Sequence, residues 1–313
     1  MPDLKIKSIY RYPVKSMSGE LMTSVRLTRD GISGDRYWAI YNLEAKELQG
    51  ARRLPGLLQL KAEYIEETGL NDSGSIRITF HDGSIVETDK ESSFERLNSF
   101  LGVKVKVCPR QPASNLLHYK RAVTSNDSEI RKELGLSPEE KTPDFANLPL
   151  ATLAQLKYFT SPPGHYFDAF PLHIITQGAL EFMQAQTRNE NFVVERFRPN
   201  IVIENNNSAE IEEFTWCGLK AQSNETEIKI EAETVRCSVP SREQPNIVAD
   251  KEISKAIAKI NDRFLGVYAT VLKEGIINIH DRFIVESKNS NELLDSINDI
   301  TNDIKKGIIK YLS

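Results

Sequence analysis

Short runs rich in β-branched and aromatic residues recur along this chain at close spacing, and turn-forming residues separate them. In the first hundred residues the runs are Ile6 to Tyr12, Ser24 to Leu27, Tyr37 to Leu43, Leu58 to Ile65 and Ile76 to Phe80. Such runs are too short for long helices and suit half-buried strands, so they predict an all-β core for this part. Asp82-Gly83 follows Ile76 to Phe80 and precedes Ile85 to Thr88, and a glycine there supplies the positive φ that a tight hairpin turn needs. One short helix is expected to interrupt the strands. Ser92 is placed to cap it, Phe94, Leu97, Phe100 and Leu101 give it an apolar face, and Gly102 ends it before Val103 to Val107.

Residues 111–150 read differently. Prolines at 112, 138, 143 and 149 and many polar side chains leave one brief helical patch, Ile130 to Leu134, which predicts a connecting or substrate-facing segment. A second unit follows, with strands expected at Ile174-Ile175, Ile201 to Ile203, Ile228 to Val235 and Val267 to Leu272. Gly178 to Gln186 and the stripe Ile253, Ile257 and Ile260 predict helices between them. The spacing of Leu293, Ile297, Ile300, Ile304 and Ile308 predicts an amphipathic C-terminal helix, which either packs on its own domain or serves dimerisation or membrane contact. The expected division is therefore 1–110, 111–150, 151–288 and 289–313.

Charge narrows the partners. A net charge of -4 over 313 residues, with no polybasic cluster, gives no footprint for a nucleic acid polymer or an anionic membrane surface. Three cysteines, at 108, 217 and 237, make neither a disulfide framework nor a Cys-x-x-Cys zinc pair, and the five histidines are scattered without metal-ligand spacing. The N-terminus lacks the apolar stretch of a secretion signal, and no run of about eighteen apolar residues appears. A soluble, cytoplasmic protein is expected.

Chemistry concentrates at strand ends. Val235-Arg236-Cys237-Ser238-Val239-Pro240 places a cysteine beside an arginine where an alternating run meets a proline-marked turn. A neighbouring cation favours the thiolate, the form that binds soft metals; the competing reading is a small buried side chain. Tyr12-Pro13-Val14-Lys15-Ser16, Gly34-Asp35-Arg36-Tyr37-Trp38 and Arg196-Phe197-Arg198-Pro199-Asn200 also flank expected strands. Lysine offers a point charge, arginine a planar fork, and serine or asparagine shorter hydrogen bonds, a set suited to a phosphate joined to a polar ring. Taken singly, each cation is equally a solvated charge or a strand-edge ion pair.

Together, in this order, these four segments resemble the MOSC family, the molybdenum-cofactor sulfurase C-terminal domain proteins. The likeness is closest to its two-part branch, which includes the mitochondrial amidoxime-reducing component and its bacterial relatives, and it covers most of the chain. The resemblance implies a mixed α+β, predominantly β fold: an N-terminal β-barrel-like domain and a MOSC β-barrel domain with peripheral helices. It implies a molybdenum-pyranopterin (molybdopterin) cofactor, with Cys237 as metal ligand and catalytic residue. Lys15, Ser16 and Arg36 match cofactor-binding positions of the N-terminal part, and Arg198 and Asn200 match the pair that holds the pterin and its phosphate. Thr176 falls where the family places a hydroxyl before a helix, and Arg236 and Tyr268 are further cofactor-side candidates. The family is also associated with pyridoxal phosphate binding.

The implied activity is reduction of N-hydroxylated compounds such as hydroxylamines, amidoximes and N-hydroxylated bases. No cysteine-rich ferredoxin segment is present, so electrons are expected from a separate protein carrying flavin, haem or iron–sulfur. The chain departs from the branch after its cysteine: Ser238 to Pro245 has one extra residue and lacks the usual Asp-Pro, leaving Glu243 as a substitute carboxylate. Two other readings stay open, a sulfur carrier using a Cys237 persulfide and a non-catalytic module for a phosphorylated ligand. Dependence on the cysteine separates the module from the other two.

Overall fold

Strict alternation builds the longest strand. The computed structural model describes residues 4–66, 73–88, 94–146, 148–205 and 210–287, and within them Thr226–Val235 buries every second side chain, from Thr226 through Ile228, Ile230 and Ala232 to Thr234. It pairs antiparallel with Phe264–Lys273, which pairs with Leu172–Thr176. That strand runs parallel to Ile201–Glu204, which pairs antiparallel with Lys5–Arg11, and Glu20–Met22 lies at the edge. Lys220–Ser223 and Ile284–Val285 extend the other side to complete an eight-stranded sheet.

Segment 280–286 serves both sides of this sheet. Ile284–Val285 pairs with Lys220–Ser223, while the His280 and Phe283 amides donate to the carbonyls of Ile6 and Leu4 at 2.7 and 2.9 Å. The strand order itself stays open among the described residues, but these bonds curl the sheet around one apolar core that includes Ile6, Ile9, Ile174, Ile203, Ile230 and Val267. Helices Gln177–Thr187 and Lys251–Asn261 cover the opposite face, where Ala179, Met183, Ile253 and Ile257 meet Ile175, Val202 and Leu265. Leu172–Thr176 is consequently buried on both faces, at all five of its positions.

A second core lies under three-stranded sheets. One comprises Lys61–Tyr64, Ile76–Thr79 and Ile85–Glu87, and another comprises Val105–Pro109, Trp38–Asn42 and Glu47–Leu48; Ile40, Leu57, Ile78 and Val107 fill the space. Gly83, at φ +80°, makes the expected hairpin turn, and Gly102, at φ +69°, ends helix Phe94–Leu101. The proposed cap Ser92 and the proposed helix 289–313 lie outside the described residues. Of the run Leu58 to Ile65 only Lys61–Tyr64 is a strand, because Pro55 starts a 3-10 turn that takes in Leu58. The connecting segment holds more helix than its prolines suggested, Leu116–Tyr119 and Asp127–Leu134, the latter capped by the Asn126 side chain, and a further helix, Leu150–Tyr158, starts at its end after Pro149.

The sequence order of the two parts is not their order in space. Lys5–Arg11 and Glu20–Met22 belong to the sheet of the second half, and Ser24–Thr28 pairs with Gly275–Asn278. The first strand thereby ends beside residues that lie nearly two hundred positions away in the chain.

Candidate functional site

Strand ends from both halves surround one cleft with about 1200 Å³ of atom-free space, part of it open to solvent. Lys15, Ser16, Arg36, Arg198, Asn200, Arg236, Cys237 and Tyr268 line it. Tyr12 stands between two of the arginines. The guanidinium carbons of Arg198 and Arg36 lie 4.4 and 5.0 Å from its ring centroid, and its hydroxyl donates to the Pro199 carbonyl at 2.9 Å. An electron-rich ring between two like charges reduces their mutual cost. Arg36 pairs with Asp35 and donates to Asn200 Oδ1 at 3.3 Å, while Arg198 Nη2 donates to the Met17 carbonyl at 2.6 Å. Burial, and then the charge of Arg36, bring the Arg198 pKa down to about 10 against the opposing pull of Tyr12.

Three of these donors sit on strained backbone. Ser16, Arg36 and Arg198 have φ of 74, 51 and 54°, a left-handed region that costs a non-glycine residue about 1–3 kcal/mol and clusters at functional sites. Lys15 Nζ is held by Asp168 Oδ1, the Tyr166 carbonyl and Ser161 Oγ at 2.7, 2.9 and 3.0 Å. Ser16 Oγ accepts from the Ala51 amide at 2.9 Å, and a Cβ on Gly50 would come within 2.7 Å of that oxygen, so glycine is what lets loop 49–53 approach.

Around Cys237 the donors are less satisfied. Arg236 Nη2 donates to the Phe197 carbonyl at 2.9 Å, and Nη1 lies 3.3 Å from His173 Nε2. Burial, reinforced by the Arg236 and Arg36 charges, pushes the His173 pKa well below its ordinary value, so the ring is neutral and accepts from Arg236. Gly266, at φ +78°, makes room for this ring: a Cβ there would lie 2.5 Å from Nε2. Arg236 Nε and Thr234 Oγ1 are buried in the lining without a hydrogen-bond partner. The Cys237 thiol is free and half-buried.

Thr176 is not in the cleft. It is fully buried, accepts from the Ala179 amide as the cap of helix Gln177–Thr187, and donates to Glu213 Oε2 at 2.7 Å. His173, three residues earlier on the same strand, faces the cleft, and an odd separation puts the two on opposite faces. Glu243 is exposed and outside the lining; the carboxylates present there are Asp168, Glu47 and Glu133. Sequence reasoning missed Asp168, loop 49–53, Tyr12 and His173 as site components.

The MOSC domain model matches residues 162–283, and the MOSC N-terminal beta barrel domain model matches residues 3–107. The chain belongs to the MOSC family. MOSC domains are associated with molybdenum-cofactor-binding proteins. Among solved structures, the chain is similar to the YUAD protein from Bacillus subtilis at 10% identity and a TM-score of 0.45, over 92% of this chain and 100% of that one. It is similar to YiiM from Geobacillus stearothermophilus at 16% identity and a TM-score of 0.30, over 42% of this chain and 63% of that one. No curated protein matches it. No helix among the described residues is long and apolar enough to cross a membrane.

The residues fit the cofactor that the MOSC family implies. A phosphate-bearing ring system needs cationic forks and short polar donors, and the cleft offers half-buried arginines whose charges no carboxylate contacts, Arg198 and Arg236, together with two orphaned polar atoms. Among the described residues no three His, Cys, Asp or Glu side chains cluster as metal ligands. A metal at Cys237 would therefore take its remaining ligands from a bound group.

Proposed function

We propose that this MOSC protein is a molybdenum-cofactor-dependent oxidoreductase that reduces N-hydroxylated compounds, among them hydroxylamines, amidoximes and N-hydroxylated bases, with electrons from a separate flavin, haem or iron–sulfur protein. The observation that supports the reading is the convergence of Cys237 with half-buried arginines that no carboxylate contacts, Arg198 and Arg236, in one cleft open to solvent. Arg36, Arg198 and Asn200, with Lys15 and Ser16, would hold the pterin and its phosphate, and the Cys237 sulfur would bind the metal. When bound, the cofactor supplies the two-electron chemistry that removes oxygen from an N–O group. Neutral His173 orients the Arg236 guanidinium beside Cys237, and the unpartnered Arg236 Nε would be free to meet a bound ligand.

The test is molybdenum content together with benzamidoxime reduction by a chemical electron donor, for wild type and Cys237→Ala produced in a host that makes the cofactor. Metal and activity are expected to disappear together while circular dichroism stays native. Full activity in the variant would end the metal-ligand assignment. A Cys237 persulfide without molybdenum would replace the reductase with a sulfur carrier, and absence of both would leave a binding module.

A further inference from the structure

Seven lysines and arginines line the cleft against three carboxylates, an excess of positive charge in a chain whose net charge is -4. The cofactor candidates account for only part of it. The side chains of Lys15 and Arg36 are 11 and 14% exposed, whereas Arg52 and Arg53, from loop 49–53, are 30 and 38% exposed. These outer arginines belong to no group assigned above. Arg53 is turned to Glu129, at 2.8 Å.

Arg52 is differently placed. Its Nη1 donates to Glu133 Oε2 at 2.8 Å, and Nε and Nη2 have no protein partner among the described residues. Glu133 also accepts from Arg121 at 2.5 Å, so one carboxylate is shared by two guanidinium groups and does not neutralise both. Arg52 lines the same cleft as Asp168, Cys237 and Tyr268. Its backbone is fixed from two directions. Ser16 Oγ holds the Ala51 amide, and Arg242, from the turn after Cys237, donates to the carbonyls of Ala51 and Arg52 at 2.8 and 3.2 Å. A fork held in this way loses little freedom on meeting a ligand, and its open edge matches a planar carboxylate.

We propose that Arg52 determines specificity, selecting substrates that carry a carboxylate in addition to the N–O group. The proposal rests on the reductase reading for its chemistry but not for its binding.

The experiment compares benzamidoxime with 4-carboxybenzamidoxime, by kcat/KM and by calorimetric binding of the carboxylated compound to cofactor-loaded protein. Wild type is expected to favour the carboxylated compound about tenfold, through KM, the scale of a charge-assisted fork. Arg52→Gln should remove most of that preference, with a loss of about twofold on benzamidoxime. Glu133→Gln, which frees the fork, should increase the preference, and circular dichroism checks that both variants fold. Opposite signs from the two variants are not what a purely structural pair would give. No preference in wild type, or equal losses on both compounds in Arg52→Gln, overturns the proposal. If neither amidoxime is reduced yet 4-carboxybenzamidoxime binds in an Arg52-dependent way, the reductase reading falls and the anion site stands.

Discussion

Replacing Arg196 with leucine tests what holds the turn that presents Cys237. Arg196 has no solvent exposure, and its guanidinium donates to three main-chain carbonyls: Nε to Asn191 at 2.7 Å, Nη1 to Pro240 at 3.0 Å and Nη2 to Val248 at 2.8 Å. Two of these carbonyls lie in the segment after Cys237, so one side chain fastens that turn to the short helix Val194–Phe197 that leads into Arg198. A hydrogen bond to a charged group contributes about 1.5–3 kcal/mol, and three made by one side chain are not additive. Leucine fills part of the volume and removes the charged donor from the buried Pro240 carbonyl and from the part-buried bonds to Asn191 and Val248, so the expected loss is about 3–5 kcal/mol. Thermal unfolding should register this as a drop of roughly 6–15 °C if the chain melts as one unit. Amide hydrogen exchange within 238–250 should accelerate more than in the central sheet, and retained molybdenum should fall. A variant melting within about 1 °C of wild type, with unchanged exchange in that turn, would refute the reasoning. The Ser241–Ser254 hydroxyl pair, at 2.6 Å, would then be the principal anchor.

Tyr12→Leu should lower molybdenum retention by releasing Arg36 and Arg198 from their shared ring, whereas Tyr12→Phe keeps the ring and should stay near wild type; equal losses would credit the hydroxyl bond to Pro199 instead. Burial raises the Glu213 pKa to about 7, against the opposing bonds from Thr176, so the folded state holds this proton more tightly than the unfolded chain does. The contribution is complete below the ordinary carboxylate range and fades as pH rises to about 7. Glu213→Gln should therefore gain melting temperature relative to wild type from pH 5 to pH 8, and a pH-independent difference would remove the linkage.

Period and punctuation made most strands legible, because Thr226–Val235 and Ile76–Thr79 each bury one face and their alternation follows from that. The cationic motifs were legible because strand ends gather Lys15, Arg36 and Arg198, and their order in the chain carried the family resemblance. Thr176 shows where motif reasoning stops: the residue type suits an anion, but strand parity turns it to the helix side, where it caps. Asp168 and Arg52 could not be read as site residues because each lies in an irregular segment, and only tertiary pairing brings them to the cleft. The pairing of Ser24–Thr28 with Gly275–Asn278 was equally hidden, since no local pattern specifies a partner 250 positions away.

That interleaving explains how strained donors can persist. Arg36 reaches its left-handed conformation with its amide donating to the Tyr12 carbonyl at 2.6 Å, in the segment that follows the first strand. Lys15 is anchored by the Trp38 carbonyl through its amide and by Ser161, Tyr166 and Asp168 through its ammonium. Asn200 joins the halves directly, because its amide donates to the His173 carbonyl, its carbonyl accepts from the Tyr10 amide, and its side-chain oxygen accepts from Arg36. Of the costly φ angles, those of Ser16 and Arg36 sit beside partners in the first half, the Ala51 amide and the Tyr12 carbonyl, while Arg198 is tied across the halves to the Met17 carbonyl, and such fixing by surrounding structure is the condition under which strain survives folding. Lys15 and Arg198 are consequently held in place only when the two halves are folded against each other. Cleft assembly and the joining of the two halves are therefore one event, and a chain divided near residue 110 would lose the geometry on both sides of the cut.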